Sequence, residues 1–169
     1  MRCLVTGRAG SGKSSINAGL HDRGFRALDT DKVPGLARWE DTKTREPVYV
    51  DPSKFVDYSR VGWNWQEEVL RTLLASEREL FLCGSASNQL DFHPLFDKVF
   101  VLTLDPDTQL ERLKSRPDEY GKDSAQQAEI VTEQAVFVED AVRLGAIAID
   151  NTRPVKMVVD EILSYTDEA

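Results

Sequence analysis

Residues 1–15 read MRCLVTGRAGSGKSS. A short apolar run over 2–6 leads straight into three glycines, a lysine and two serines, a cluster that packing alone does not call for. Gly7-Arg8-Ala9-Gly10-Ser11-Gly12-Lys13-Ser14 fits G-x-x-x-x-G-K-[ST] without mismatch, between a strand pattern and a helix pattern, as the motif requires. Glycines let the backbone curl so that its N–H groups face phosphate oxygens, and the helix that follows adds the partial positive charge of its N-terminus. Lys13 supplies a cation for the β- and γ-phosphates, and Ser14 supplies a hydroxyl for Mg²⁺. The expected triphosphate site therefore comprises Gly7, Arg8, Ala9, Gly10, Ser11, Gly12, Lys13, Ser14 and Ser15, with Lys13 also catalytic.

Outward from the loop, strand and helix patterns alternate. A helix is expected over 13–23, with Ile16 and Leu20 on one face and Gly24 at the stop. FRALD (25–29) alternates as a second strand, and Pro34-Gly35 then breaks any long helix. The stretch 39–63 fits a hairpin or an irregular excursion equally well. A helix over 65–77 carries Val69, Leu70, Leu73 and Leu74 at helical spacing, and LFLCG (80–84) and KVFVLTL (98–104) read as the third and fourth strands. Asp105-Pro106 is a cap followed by a proline, with Leu110 and Leu113 as the apolar stripe behind it. Ser124 and Gln127 match a capping box, and Val131, Ala135, Val138 and Val142 carry that helix to Gly145. AIAID (146–150) and a closing helix over 154–165 complete the pattern. Apolar strands alternating with helices predict an α/β fold, a parallel sheet covered on both faces.

The chain has 169 residues, of which 41% are hydrophobic and 30% charged, so a single domain spanning 1–169 is expected. Its net charge of −8 argues against a broad nucleic-acid or anionic-membrane surface, though not against a locally basic pocket. No apolar run approaches a membrane span and no cleaved signal is expected, which predicts a cytoplasmic protein. Cys3 and Cys83 lie in strand-like segments and read as buried thiols rather than a disulfide. His21 reads as a helix-surface residue and His93 as a loop residue; no Cys/His spacing suggests zinc.

The loop identifies a triphosphate, not a reaction. A guanine-reading N/T-K-x-D is absent, and the D-x-x-G at 118–121 follows Pro117 with no strand before it. An ATPase strand ending in Asp-Glu is absent too, since Asp105 is accounted for as a helix cap. What remains is the small-kinase branch. The chain resembles the nucleoside monophosphate kinase and shikimate/gluconate kinase-like group of P-loop phosphotransferases over nearly its whole length. The resemblance rests on the loop, on LDTD (28–31) where hydroxyl-phosphorylating members have Asp-x-Asp, on LERLKSR (110–116) before the mobile lid, and on IDNTRP (149–154) where the group packs adenine. It implies a three-layer P-loop NTPase fold with strand order 2-3-1-4-5, an acceptor-binding insertion near 32–64 and a short lid near 116–124.

Asp29 and Asp31 are two apart and point the same way if the strand persists, at the carboxyl edge where ligands bind in such sheets. By analogy with shikimate-type kinases, Asp29 is assigned to metal and Asp31 to acceptor binding and general base; a strand end and a cap fit the same two residues. Arg112 and Arg116 share a helix face and, on the kinase reading, neutralise charge on the moving phosphoryl group; a solvated face is the other reading. Arg153 and Pro154 are expected to flank adenine, with Asn151 and Thr152 as polar contacts, although a proline also suits a first helical turn. Acceptor recognition is assigned to Asp31, Arg38, Arg60, Gly84 and Ser85, with Ser87, Asn88, Trp63 and Trp65 nearby; the tryptophans also fit core packing. The glycine triplet that shikimate kinases carry after the third strand is replaced by CGSAS (83–87), which argues against shikimate as the acceptor. The expectation is an ATP- and Mg²⁺-dependent phosphotransferase acting on a small-molecule hydroxyl, as a monomer or homodimer. A nucleoside monophosphate kinase and a nucleotide-binding regulatory NTPase are the alternatives, and an extended nucleic-acid partner is not expected.

Overall fold

A computed structural model describes residues 1–51, 56–115 and 124–166. Arg116 and all of the expected lid except Ser124 lie outside these residues. A parallel sheet forms from β1 (Arg2–Thr6), β2 (Ala27–Asp29), β5 (Leu80–Cys83), β6 (Lys98–Thr103) and β7 (Ile147–Asp150). Its order is β2-β5-β1-β6-β7, which is 2-3-1-4-5 when only the sheet strands are counted. Two further strands, β3 (Ala37–Asp41) and β4 (Val61–Trp65), pair antiparallel as a separate hairpin, so the stretch left open by the sequence is an arm.

Period-two alternation divides the central strands between two apolar layers. Leu4, Leu80, Leu82, Val99 and Val101 face one layer, with Leu70 and Leu74 of α2 (Glu67–Ser76) and Ala141 of α4 (Ser124–Arg143). Cys3, Val5, Phe81, Cys83, Phe100 and Leu102 face the other, with Ile16 and Leu20 of α1 (Lys13–Asp22) and Val158, Val159 and Ile162 of α5 (Val155–Ser164). Complete burial of one such leucine is worth about 1.5–3 kcal/mol. Both cysteines are buried free thiols, and burial pushes each pKa up to about 12.

Local rules set the ends. Asp105 caps α3 (Pro106–Ser115), accepting from the Thr108 amide at 2.9 Å and the Thr108 hydroxyl at 2.7 Å. Gly145 takes φ 90° after α4 and turns the chain into β7. Two expectations are corrected. The second strand starts at Ala27 rather than at 25 and ends at Asp29, because Thr30–Lys32 tighten into a 3₁₀ turn. His93 is not a loop residue: it sits in the 3₁₀ segment Gln89–Leu95, buried beside Phe92 and Phe96. Among the described residues, no helix is long and apolar enough to cross a membrane.

Candidate active site

The loop between β1 and α1 is shaped by glycine and braced from three directions. Gly10 and Gly12 take φ 79° and 94°, conformations that side chains rarely adopt. Lys13 opens α1, and its Nζ donates to the carbonyls of Gly7 at 2.7 Å and Arg8 at 3.1 Å. The Ser14 and Ser15 side chains are exposed on that first turn. Gln134 of α4 accepts from the Arg8 amide at 2.9 Å and donates to the Leu102 carbonyl at 2.8 Å, while Gln109 of α3 donates to the Ala9 carbonyl at 2.8 Å. The Arg8 guanidinium turns away to pair with Glu133, so Arg8 serves the loop through its backbone. These glutamines were not among the expected site residues; buried amides carry no motif.

The third brace comes from the far end of the chain. Asn151 is 2% exposed and donates to the Ser11 carbonyl at 2.6 Å, and Arg112 donates to the Asn151 carbonyl at 2.8 Å. Both residues therefore touch the loop, holding its shoulder from α3 and the end of β7. A Cβ on Gly12 would lie 2.4 Å from Asn151 Nδ2 and 3.1 Å from Arg112 Nη1. Gly12→Ala is thus expected to cost about 1–3 kcal/mol and to weaken ATP binding, read by urea melts and nucleotide titration; wild-type values in both would refute the brace. Arg153 donates to the Asp150 carbonyl at 3.1 Å and pairs with Glu161, whose contact raises the arginine's pKa, while Pro154 stands exposed before α5. Thr152 donates to Asp150, which lowers that carboxyl's pKa.

On the side expected to take the acceptor, Asp29 ends β2 and accepts the Asp31 amide at 3.1 Å, with Lys32 Nζ 3.6 Å from its other oxygen. The expected parallel alignment of the two carboxylates fails, because the strand stops and Asp31 rides the 3₁₀ turn. Both remain at the carboxyl edge of the sheet. Asp29 pairs in register with Cys83 of β5, and Cys83 pairs with Val5 of β1, two residues before the loop, which sets this carboxylate two strands from the loop on the same sheet edge. Asp31 accepts the Trp63 indole N–H at 2.9 Å. Gly84 lets β5 press against the same turn: a Cβ there would lie 1.6 Å from Thr30 Oγ1, so its glycine serves packing. Ser85 is half-buried in the segment after β5.

The arm is anchored from both edges. Ser87 N donates to the Trp63 carbonyl at 2.7 Å, and Asn88 bonds both main-chain groups of Trp65, at 2.9 and 3.0 Å. Glu40, 4% exposed, gathers Arg38 at 2.9 Å, Gln66 and Asn64 at 3.0 Å each, and Arg45 at 3.5 Å. Arg38 therefore lies half-exposed beside the Glu40 carboxylate, whereas Arg60 sits at the far end of the hairpin, beyond Asp41. Burial raises the Glu40 pKa, but the bonds from Gln66, Asn64 and Arg38 outweigh it and hold the carboxyl below its ordinary 4.5. Such a group stabilises the fold above its unfolded pKa, and the contribution is lost as pH falls through the lower folded value. Wild type is therefore expected to lose stability more steeply below pH 4.5 than Glu40→Gln, measured by urea melts across pH; parallel profiles would contradict it.

A glycine-shaped loop after the central strand, a lysine at the helix start, and two carboxylates at the same sheet edge define a P-loop NTPase. The chain matches the model of the AAA domain family over residues 3–132, and it belongs to that family. It is 25% identical to dephospho-CoA kinase of Streptococcus mutans, over 73% of this chain and 76% of that one. Its fold is similar to that of shikimate kinase from Acinetobacter baumannii (TM-score 0.65, 17% identity, 99% of this chain and 93% of that one). It is also similar to deoxyadenosine kinase from M. mycoides (TM-score 0.60, 14% identity, 99% and 100%) and to a gluconokinase from Sinorhizobium meliloti (TM-score 0.55, 16% identity, 99% and 91%). By family, fold and relatives the protein groups with the P-loop small-molecule kinases.

Proposed function

We propose that the protein transfers the γ-phosphate of Mg·ATP to a hydroxyl of a small-molecule acceptor, with Asp31 as general base. The observation that carries this reading is the pair of carboxylates at the carboxyl edge of the sheet: Asp29 pairs with Cys83, which pairs with Val5 just before the loop, and Asp31 follows in the adjoining 3₁₀ turn. The hydroxyl oxygen attacks the γ-phosphorus, the bond to the β,γ-bridging oxygen breaks, ADP leaves, and the hydroxyl proton passes to Asp31. Lys13 and the loop amides hold the β- and γ-phosphates; Gln109, Gln134, Asn151 and Arg112 keep the loop in shape for them. The exposed Ser14 and the Asp29 carboxylate are hard oxygen donors of the kind that would hold Mg²⁺. That ion would neutralise charge on the triphosphate.

The relatives' names cover acceptors as different as shikimate and deoxyadenosine, so the acceptor has to be found by assay. ADP release from Mg·ATP is measured with panels of nucleosides, nucleoside monophosphates, sugar acids, shikimate and amino alcohols. A hydroxyl acceptor is expected to raise release far above the rate with ATP alone. A slow rate that no acceptor changes would overturn the proposal in favour of a regulatory NTPase.

A further inference from the structure

The hairpin arm has two unlike faces. Glu40 and Asn64 alternate onto the buried one. Trp39 and Trp63 are directly opposed across the strands and share the other, with ring centroids 5.4 Å apart at 54°. Tyr58 extends this surface, 6.1 Å from Trp39. All three rings are half-buried, in contrast to Trp65, which is 2% exposed and packs on Phe92. The partly open aromatic surface ends at the site's acid, because the Trp63 indole N–H is bonded to Asp31 Oδ1. It is also held still: Ser87 fixes the Trp63 main chain, and the Gln66 amide donates to the Leu36 carbonyl at 2.7 Å.

We propose that Trp39 and Trp63 are specificity-determining residues, forming the stacking face for a planar heteroaromatic ring, and that the acceptor is a nucleoside. The inference rests on Asp31 as the partner of the acceptor hydroxyl. Indoles present flat polarisable faces that stack any base and give a non-planar polyol little to contact. A base stacked against Trp63 places its sugar beside the carboxylate, where Oδ1 keeps the indole N–H and Oδ2 takes the hydroxyl proton. A cationic acceptor drawn to the rings is less well served. The described arm carries Arg38, Lys43, Arg45 and Arg60 against Glu40, Asp41, Glu46, Asp51 and Asp57, nearly balanced, and Lys32 already lies on Asp29.

The test titrates tryptophan fluorescence with adenosine, guanosine, cytidine and thymidine, and with gluconate, shikimate and choline, in the presence of Mg·ADP; steady-state kinetics with ATP follow. Nucleosides are expected to quench the emission and to be turned over. Trp39→Leu keeps apolar bulk without a flat ring, and is expected to raise the nucleoside KM about tenfold to a hundredfold, the size of one base–aromatic stack, with KM for ATP unchanged. Trp39→Tyr is expected to restore most of it, which a packing role alone would not require. Trp63→Phe keeps a ring but removes the N–H holding Asp31, and is expected to lower kcat more than it raises KM. A nucleoside KM unchanged in Trp39→Leu overturns the proposal. So does efficient, Asp31-dependent turnover of a polyol or choline in place of nucleosides, which leaves the base assignment standing. Nucleoside turnover that survives Asp31→Asn with the Trp39 effects intact removes the base and keeps the stacking face. Failure of every acceptor overturns both.

Discussion

Lys13→Ala is expected to cut acceptor-stimulated ADP release about a thousandfold while the chain stays folded. The ammonium is held at the mouth of the loop by the Gly7 and Arg8 carbonyls, at 2.7 and 3.1 Å. In the proposed transfer it would face oxygens whose charge moves from the γ-phosphoryl group to the leaving ADP, a shift that alanine cannot answer. The fold has little stake in the side chain. Lys13 is half-buried at the mouth of the loop, outside the two apolar layers. Gln109, Gln134 and Asn151 still brace the loop. The measurements are kcat with the best acceptor, ATP affinity by titration, and a thermal melt. Unchanged affinity and turnover in a folded variant would remove the triphosphate assignment on which everything else stands.

The second large effect is at the acceptor. Asp31→Asn is expected to lower kcat for a hydroxyl acceptor by about 10²–10⁴, with Mg·ATP affinity kept. Asparagine preserves shape and an amide oxygen for the Trp63 indole N–H, so the arm should stay docked. What is lost is the ability to take a proton. This separates the kinase alternatives, because a phosphate acceptor is already an anionic nucleophile and needs no base. Full turnover of a nucleoside monophosphate by Asp31→Asn would therefore assign the protein to that class. Full turnover of a hydroxyl acceptor would show that another group, or water, receives the proton.

The parts of the fold and of the candidate site that were legible in the sequence are those in which chemistry and spacing coincide over a few residues. The eight-residue loop is one: its glycines carry the positive φ values that its curl needs. The Asp105 cap and the Gly145 turn are others, since a cap or a left-handed residue is a local requirement. Asp29 and Asp31 were legible as a pair but not in their orientation. Period-two reasoning holds only while a strand continues, and this one ends at the first aspartate. The tryptophans show the same limit from the packing side. Trp63 and Trp65 lie two residues apart on one hairpin face, yet one meets the core and the other meets Asp31.

By itself, the sequence determined a parallel sheet between two helical layers and a triphosphate loop at its centre, because strand alternation, helix periodicity and glycine conformations act within a few residues. Only the tertiary structure decided what holds that loop and what faces it. The Arg8 amide reaches Gln134 across 126 positions, and Ser11 receives Asn151 across 140. Glu40 collects partners on two strands, and Trp63 meets Asp31 across 32. Such contacts depend on which buried polar group ends up beside which, and a buried group must find a partner wherever the folded chain supplies one.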